Sequence, residues 1–548
     1  MMSTTASAES TAVHGGHLVT RALRSRGVEN LFTLSGGHLF SIYDGCKDAG
    51  IRIVDVRHEQ AAVWAAEGYA KATRRPGVAA LTAGPGVSNG VSAIAGAFYN
   101  RSPVTVLGGR APEMRWGSGS LQEVDHLPFV SPLVKSAATV KETSQIASAT
   151  AAAIDASLTQ PSGPAFLDFP LDVVFMEGVD NPGADPGFDP GPVANGIEEA
   201  AALLRGAERP AIMAGTGLYW ARGEDQLRAL AEALGAPVFL NGMGRGCLPA
   251  DHELCFSRAR GHALKGADVA LAIGLPLDFR LGFGGSFGED TKLIWLDVAR
   301  NELTRNRKPQ VELVGGIGST LAALREASGG DPSRTAAWIA DVRDAETLKR
   351  EAEQAELDDQ RSPLHPMRVY KGLADLLDRD AIVIGDGGDF VSYAGKVVAT
   401  YEPGTWMDPG PYGCLGAGPG QAIGAKLAHP DRQVCLLLGD GAFGFSGLEF
   451  DTMARLGIPV VGVIGNNGIW GLEHHPMKFL YGYSVAAELA PETRYDKVAE
   501  ALGCHAELVR EPDELQPALE RAFESGRPAL VNVLTDPEVA YPRKANLA

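Results

Sequence analysis

The chain has 548 residues, 45% hydrophobic and 21% charged, with 67 glycines and a net charge of −18. That is the composition of about three globular domains and excludes a disordered chain. The negative charge repels nucleic acid and anionic membranes, so neither is an expected partner. Any phosphorylated ligand must then be held by local donors, helix N-termini or a metal. No apolar run reaches the roughly 18 residues that span a bilayer. The N-terminal MMSTTASAES lacks a basic stretch followed by an apolar one, so no signal peptide is expected. Six cysteines (Cys46, Cys247, Cys255, Cys414, Cys435 and Cys504) form no CxxC pair. A disulfide framework or a zinc site is therefore not expected, and the reading is a cytoplasmic protein.

Along the chain, short β-rich runs alternate with longer helical stretches, the pattern of α/β domains with parallel sheets. Two segments read as linkers: Gly178–Gly196, dense in Gly, Pro and Asp, and Glu351–Pro366. They predict domains over residues 12–177, 197–345 and 366–548. In the first, Val28–Leu34 leads into Ser35-Gly36-Gly37-His38. Ile51–Val56 leads into Arg57-His58-Glu59 and a helix over Gln60–Thr73. Val78–Thr82 leads into Ala83-Gly84-Pro85-Gly86 and a further helix. The third repeats this logic. Ala381–Ile384 precedes Gly385-Asp386-Gly387-Gly388-Asp389, Val434–Leu438 precedes Gly439-Asp440-Gly441, and Val460–Ile464 precedes Gly465-Asn466-Asn467. Ligands bind just past the C-terminal ends of parallel strands, where these residues fall.

The stretch from Gly439 to Asn467 reads as a strand end, a helix of about four turns, a turn at Leu456-Gly457, a second apolar strand and an Asn-Asn pair. A right-handed crossover brings two such strand ends near each other. Asp440 and Asn467 can then converge as oxygen ligands for Mg²⁺. Gly439 and Gly441 let the backbone approach a phosphate, and the following helix start presents free N–H groups.

This GDG…NN spacing resembles the cofactor signature of the thiamine diphosphate enzyme superfamily, and the resemblance covers nearly the whole chain. It implies three α/β domains, each a parallel sheet flanked by helices: a pyrimidine-binding domain, a central Rossmann-like domain and a diphosphate-binding domain. The implied cofactors are thiamine diphosphate and Mg²⁺. The metal is held by Asp440, Asn467 and the main-chain carbonyl of Ile469, and Ala442 belongs to the diphosphate loop. The RHEQ–AAEGYA block looks like the segment that carries the family's activating glutamate, here Glu59. Its carboxyl donates to N1′ of the aminopyrimidine and favours the imino form that removes the C2 proton. Within Met407–Gly424, Gly413 supplies a carbonyl for the 4′-amino group and Leu415 is the wedge that bends the cofactor. Asp386, Gly387 and Gly388 form a second loop facing it. Glu59 of one chain reaches a cofactor held by another, so a homodimer is the minimum and such enzymes are commonly homotetramers.

The substrate, a small molecule, must be read from other residues. His38 can donate to a substrate hydroxyl or oxyanion. Gly119–His126 resembles the pocket loop of acetolactate synthases and 2-hydroxyacyl-CoA lyases, with Gln122 as contact and Leu121 as size limit. Asp125 and His126 are read as caps of the local turn and helix, and His474 and His475 as structural. Glu473, one and a half turns beyond Asn467, is the expected base near the reacting carbon. The segments Ser257–Leu264, Leu277–Gly284 and Leu296-Asp297 resemble 2-hydroxyacyl-CoA lyases and oxalyl-CoA decarboxylases. They imply ADP or the nucleotide end of coenzyme A in the central domain, with Arg258, Arg260 and Arg280 as phosphate partners. The tail Tyr541-Pro542-Arg543-Lys544 is a candidate to fold over a coenzyme A phosphate. The favoured reading is a 2-hydroxyacyl-CoA lyase that releases formyl-CoA and an aldehyde or ketone, or condenses them in reverse. The first alternative is acetolactate synthase, with FAD in the central domain; LQE and Lys135 in PLVKS fit it. The second is a noncatalytic subunit of the same fold, against which the retention of Glu59, Asp440 and Asn467 argues.

Overall fold

Runs of valine, leucine and isoleucine become short strands buried on both faces, the mark of parallel sheets covered by helices. The computed structural model describes residues 11–302 and 306–542. They form two compact units, divided between Phe188 and Asp189. The first unit runs β1 (Val13–His14), α1 (Gly15–Ser25), β2 (Asn30–Thr33), α2 (Phe40–Ala49), β3 (Arg52–Asp55), α3 (Glu59–Thr73), β4 (Gly77–Leu81), α4 (Pro85–Tyr99), β5 (Val104–Arg110), β6 (Ser136–Thr139), β7 (Ala165–Pro170) and β8 (Glu177–Gly178), with further helices between, among them Ile146–Leu158. Strands β2 to β7 make a parallel sheet of order β3-β2-β4-β5-β7-β6, while β1 and β8 form a small antiparallel pair. Leu18, Leu31, Ile42, Val78, Leu107, Ile154 and Phe169 belong to one core cluster of this unit.

The second unit holds two parallel sheets. One has β9 (Pro210–Ala214), β10 (Val238–Leu240), β11 (Val269–Ile273), β12 (Lys292–Asp297) and β13 (Val311–Val314), in the order β10-β9-β11-β12-β13. The other has β14 (Ile382–Asp386), β15 (Trp406–Met407), β16 (Val434–Gly439), β17 (Val461–Asn466), β18 (His505–Val509) and β19 (Ala529–Leu534), in the order β15-β14-β16-β17-β19-β18. Counted from its own first strand, the third sheet repeats the order of the first, 2-1-3-4-6-5. The three-sheet α/β architecture implied by the sequence is thus present.

In each sheet the strand order reverses between its first and third strands, and this switch point opens a crevice beyond the strand ends. Close loop approach there requires glycine at two places. A Cβ on Gly36 would lie 2.3 Å from the Thr82 side chain, and one on Gly387, whose φ is +146°, would lie 3.0 Å from the amide nitrogen of Gly439.

Two elements differ from expectation. The four-turn helix after Asp440 is two helices, Asp440–Ser446 and Glu449–Leu456, broken at Gly447. Glycine is a poor helix former, and the Phe443 ring occupies the space where a Cβ at Gly447 would sit, 2.5 Å away. The second linker begins late, because the helix Ala336–Leu357 continues through EAEQAEL, a run of strong helix formers. Residues 179–196 carry no helix or strand. All six cysteines are free. Among the described residues, no helix is long and apolar enough to cross a membrane. Arg543 and Lys544 of the tail lie outside the described residues.

Candidate active site

In the first unit, the switch point between β2 and β4 opens a cavity of about 560 Å³. His38, Leu121 and Gln122 line it together, with Ser35, Thr82 and Arg115. His38 is 8% exposed, and its Nδ1 lies 3.2 Å from Thr82 Oγ1. Burial and the neighbouring His126 ring hold its pKa below the usual imidazole value, so it meets a ligand as a neutral ring. Gln122 has φ +61°, in the left-handed region. A non-glycine residue held there costs about 1–3 kcal/mol, and such strain clusters at ligand sites. Leu121 beside it is 81% exposed.

Glu59 opens α3 and is buried to 8% exposure. Its Oε2 accepts a hydrogen bond from Asn89 Nδ2 of α4 at 3.0 Å. Sequence pattern does not single out Asn89, although it lies on the helix that leaves the β4 strand end, where a ligand-facing residue is expected. His126 stands at the N-cap position of the short helix Leu127–Val130, but its side chain makes no capping bond there. It is fully buried, its Nε2 accepts the Gly84 N–H at 3.0 Å, and its Nδ1 lies 2.8 Å from Asp168. The proton therefore sits on Nδ1, and Asp168 and His126 together fix the turn that starts α4. Asp125 pairs with Arg110 at 3.0 Å, and Arg110 also reaches Asp168 at 3.2 Å. Lys135 donates to the carbonyls of Ala156 and Thr159 at a helix end, and burial lowers its pKa to about 8.

In the second unit, Asp440 stands at the end of β16 and is 3% exposed. Its Oδ1 accepts the Gly441 N–H at 2.9 Å, and its Oδ2 accepts the Gly468 N–H at 2.7 Å. It thereby joins the ends of the neighbouring strands β16 and β17. No cation neutralises it among the described residues, and burial pushes its carboxyl up to about 6. Asn467 is half-buried. The flanking residues Gly468 and Trp470 carry the backbone bonds to Leu489 and Ala487, so the Ile469 carbonyl stands outside that pairing. A buried carboxylate, a carboxamide oxygen and a carbonyl form an all-oxygen donor set, the chemistry of a hard divalent cation. Asn466 instead braces the sheet, its Nδ2 donating to Thr493 O and Asn532 Oδ1 and so tying β17 to β19.

Asp386 does not turn toward a ligand as expected. It is fully buried, and its two oxygens accept the N–H groups of Gly416 at 3.1 Å and Gly418 at 2.7 Å. Its carboxyl is pushed up to about 7 by burial. It anchors the segment that carries Gly413 and Leu415, of which Gly413 is exposed and Leu415 half-buried. Ala442 is buried inside the helix Asp440–Ser446. Glu473 is exposed in the single chain. It lies on the exposed side of the helix Gly471–Tyr481, and Leu472 is the side chain that leans onto Gly388. One residue along a helix turns a side chain by roughly 100°, so Leu472 and Glu473 face different ways. His474, as expected, is structural, with Nδ1 2.9 Å from Ser484 Oγ.

Two of the three central arginines are already engaged. Arg258 pairs with Glu353 at 3.1 Å and Arg280 with Asp278 at 2.7 Å, which corrects their reading as phosphate forks. Arg260 makes no ion pair among the described residues.

Comparison with known proteins agrees with this layout. Three family models match in chain order: thiamine pyrophosphate enzyme, N-terminal TPP binding domain, over residues 13–129; central domain, over 197–324; and C-terminal TPP binding domain, over 386–533. The chain is 57% identical to the probable acetolactate synthase of Mycobacterium bovis and to the acetolactate synthase large subunit IlvG of Mycobacterium tuberculosis. Each match covers 99% of this chain and 100% of the relative. It is 35% identical to 2-hydroxyacyl-CoA lyase 2 of Caenorhabditis elegans, over 95% of this chain and 89% of that protein. Full-length identity of this order, together with the three domain matches, makes the chain a thiamine diphosphate-dependent enzyme of the branch that holds the acetolactate synthases and 2-hydroxyacyl-CoA lyases.

Proposed function

We propose that the protein is an acetolactate synthase, joining two 2-oxo acids with loss of one carbon dioxide. The observation that carries this reading is the 57% identity, end to end, with relatives of that name. The lyase reading favoured by the sequence moves to second place. Its supports in the sequence are Glu473, which is exposed, and the arginines 258 and 280, which are engaged in ion pairs. What still favours it is the 35% identity to 2-hydroxyacyl-CoA lyase 2.

Thiamine diphosphate, when bound, supplies a nucleophilic carbon and an electron sink. The chain's own residues do the rest. Glu59 holds a proton at N1′ of the aminopyrimidine, and Asn89 fixes the Glu59 carboxyl through Oε2. Asp440, Asn467 and the Ile469 carbonyl would hold Mg²⁺, whose charge would offset that of the buried Asp440 carboxylate and of an anionic cofactor. Gly439, Gly441 and Ala442 give the diphosphate close access to backbone N–H groups. Gly413 and Leu415 shape the cofactor seat, and Leu472 rather than Glu473 closes it. His38, neutral and half-fixed by Thr82, donates to the substrate carbonyl oxygen. Gln122 orients the acceptor, and Leu121 limits its size. In this reading the central crevice takes FAD rather than ADP or coenzyme A, and two chains complete each site, as the family pattern implies.

The deciding experiment gives purified protein thiamine diphosphate, Mg²⁺, FAD and pyruvate in one vessel. A second vessel holds thiamine diphosphate, Mg²⁺, formyl-CoA and an aldehyde. Faster acetolactate formation in the first is the expected result. Faster 2-hydroxyacyl-CoA formation in the second would restore the lyase reading.

A further inference from the structure

Away from the cofactor and substrate residues, α1 and α2 of the first unit bring together two imidazoles and two carboxylates. His14 lies at the end of β1, immediately before α1, and His17 lies within its first turn. Asp44 and Asp48 project from α2, one helical turn apart. His14 Nε2 is 3.0 Å from Asp44 Oδ2, His17 Nε2 is 3.7 Å from the same oxygen, and His17 Nε2 is 3.7 Å from Asp48 Oδ2. The ligand atoms of His14, His17 and Asp44 all lie within 4.8 Å of one another. A tetrahedral zinc site with bonds of about 2.0–2.1 Å spaces its ligand atoms roughly 3.3–3.4 Å apart. The three shorter separations bracket that value, so small side-chain shifts suffice to close the site.

We propose that His14, His17 and Asp44 form a binding site for a borderline divalent metal of the zinc type, with Asp48 or water in the fourth position. Imidazole nitrogens exclude Mg²⁺ as the natural occupant, since Mg²⁺ selects oxygen ligands. This separates the site chemically from the all-oxygen set at Asp440. The absence of a CxxC pair excludes only the cysteine form of a zinc site, and here histidine and aspartate supply the ligands. The affinity is moderate. His14 Nδ1 is buried without a hydrogen-bond partner, so that ring lacks the outer support that strengthens metal-ligating histidines by about 10–100-fold. The carboxylates are about 60% exposed, which also keeps the site weak. Micromolar binding is the expectation.

The position gives the site a consequence. His38 sits in the short helical turn Gly37–Leu39 that leads directly into α2. A metal at Asp44 ties α2 to α1 and so steadies the helix whose start carries a cavity residue. It also stabilises the folded unit by mass action, because the unfolded chain does not hold the four groups together.

Co²⁺ is the probe, titrated into the protein already saturated with thiamine diphosphate and Mg²⁺. The expected result is one Co²⁺ per chain with the visible absorption of a four-coordinate site, displaced by Zn²⁺, with the thiamine diphosphate content unchanged. His14→Gln with His17→Gln should weaken Co²⁺ binding at least tenfold. Asp44→Asn, which keeps both imidazoles and guards against misfolding of the double variant, should weaken it several-fold. Equal Co²⁺ uptake by wild type and the double variant overturns the site, as does uptake that bulk Mg²⁺ abolishes.

Discussion

The first and third sheets share one topology, 2-1-3-4-6-5, yet carry opposite chemistry at equivalent strand ends. After its first strand, the N-terminal copy presents Ser35 to His38 and the C-terminal copy Asp386 to Asp389. After the third strand, the N-terminal copy has Gly84-Pro85-Gly86, and the C-terminal copy has Gly439-Asp440-Gly441. Four buried carboxylates, two in each copy, are held differently. In the N-terminal copy Asp168 is neutralised by Arg110 and hydrogen-bonded by His126, and Glu67 is paired with Lys71 at 3.1 Å. In the C-terminal copy Asp440 and Asp386 receive only backbone N–H groups, and both carboxyls are pushed upward. The lesson is one of electrostatics. A buried carboxylate with its own counter-charge belongs to the scaffold, while one held only by amides either awaits a cation or anchors a loop.

The contrast can be broken by mutation. The largest effect is expected at Glu59. Glu59→Gln should fold and bind thiamine diphosphate, yet lose about 10²–10⁴-fold in C2 proton exchange. NMR of the exchange is the check, and a wild-type rate would remove Glu59 from its role. Next comes the pair Asp168 and Asp440. Asp168→Ala removes the buried partner shared by Arg110 and His126 and should lower stability by about 3–5 kcal/mol in urea denaturation. Asp440→Ala should leave the cofactor-free fold within about 1 kcal/mol of wild type while abolishing diphosphate binding by calorimetry. Equal destabilisation of the two variants would erase the distinction.

Asp386 sharpens the comparison through pH. Its folded-state pKa of about 7 lies above the usual carboxyl value, so the folded chain keeps a proton that the unfolded chain has released. The stability it contributes is fully present below about pH 4 and is lost as pH rises through 7, on the order of 2–4 kcal/mol. Denaturation midpoints between these pH values should fall accordingly. Asp386→Asn, which cannot ionise, should flatten the curve, and an unchanged slope would locate the effect elsewhere. The smallest effect is expected at Gln122. Gln122→Gly relieves a left-handed backbone and should stabilise the protein by about 1 kcal/mol while reducing turnover. A loss of stability would show that the side chain's own contacts outweigh the strain.

Much of this is legible in the residues themselves. The strand ends, the Asp440 and Asn467 pair and Glu59 each sit where an apolar run meets Gly, Asp or Asn, and that pattern is local. Local patterns survive in sequence because periodicity and turn chemistry depend on near neighbours. The same locality explains the misreadings. Arg258 and Arg280 look free in the sequence because Glu353 is distant along the chain and the Asp278 clamp depends on backbone conformation. His126 looks like a cap because its partners, Gly84 and Asp168, lie 42 residues to either side. Asn89 escapes notice because nothing near it in sequence marks contact with Glu59.

The sequence by itself determined the α/β class, the repeating strand–loop–helix units and the strand-end positions of Glu59, Asp440 and Asn467, since each follows from short-range pattern and residue chemistry. Only the tertiary structure decided which charges are neutralised and which stand alone. Leu472 rather than Glu473 faces Gly388, Asp386 anchors a loop, and two histidines at the start of α1 meet two aspartates of α2. The physical reason is that electrostatic compensation and side-chain direction are set by three-dimensional neighbours, and a one-dimensional string does not specify those until the chain has folded.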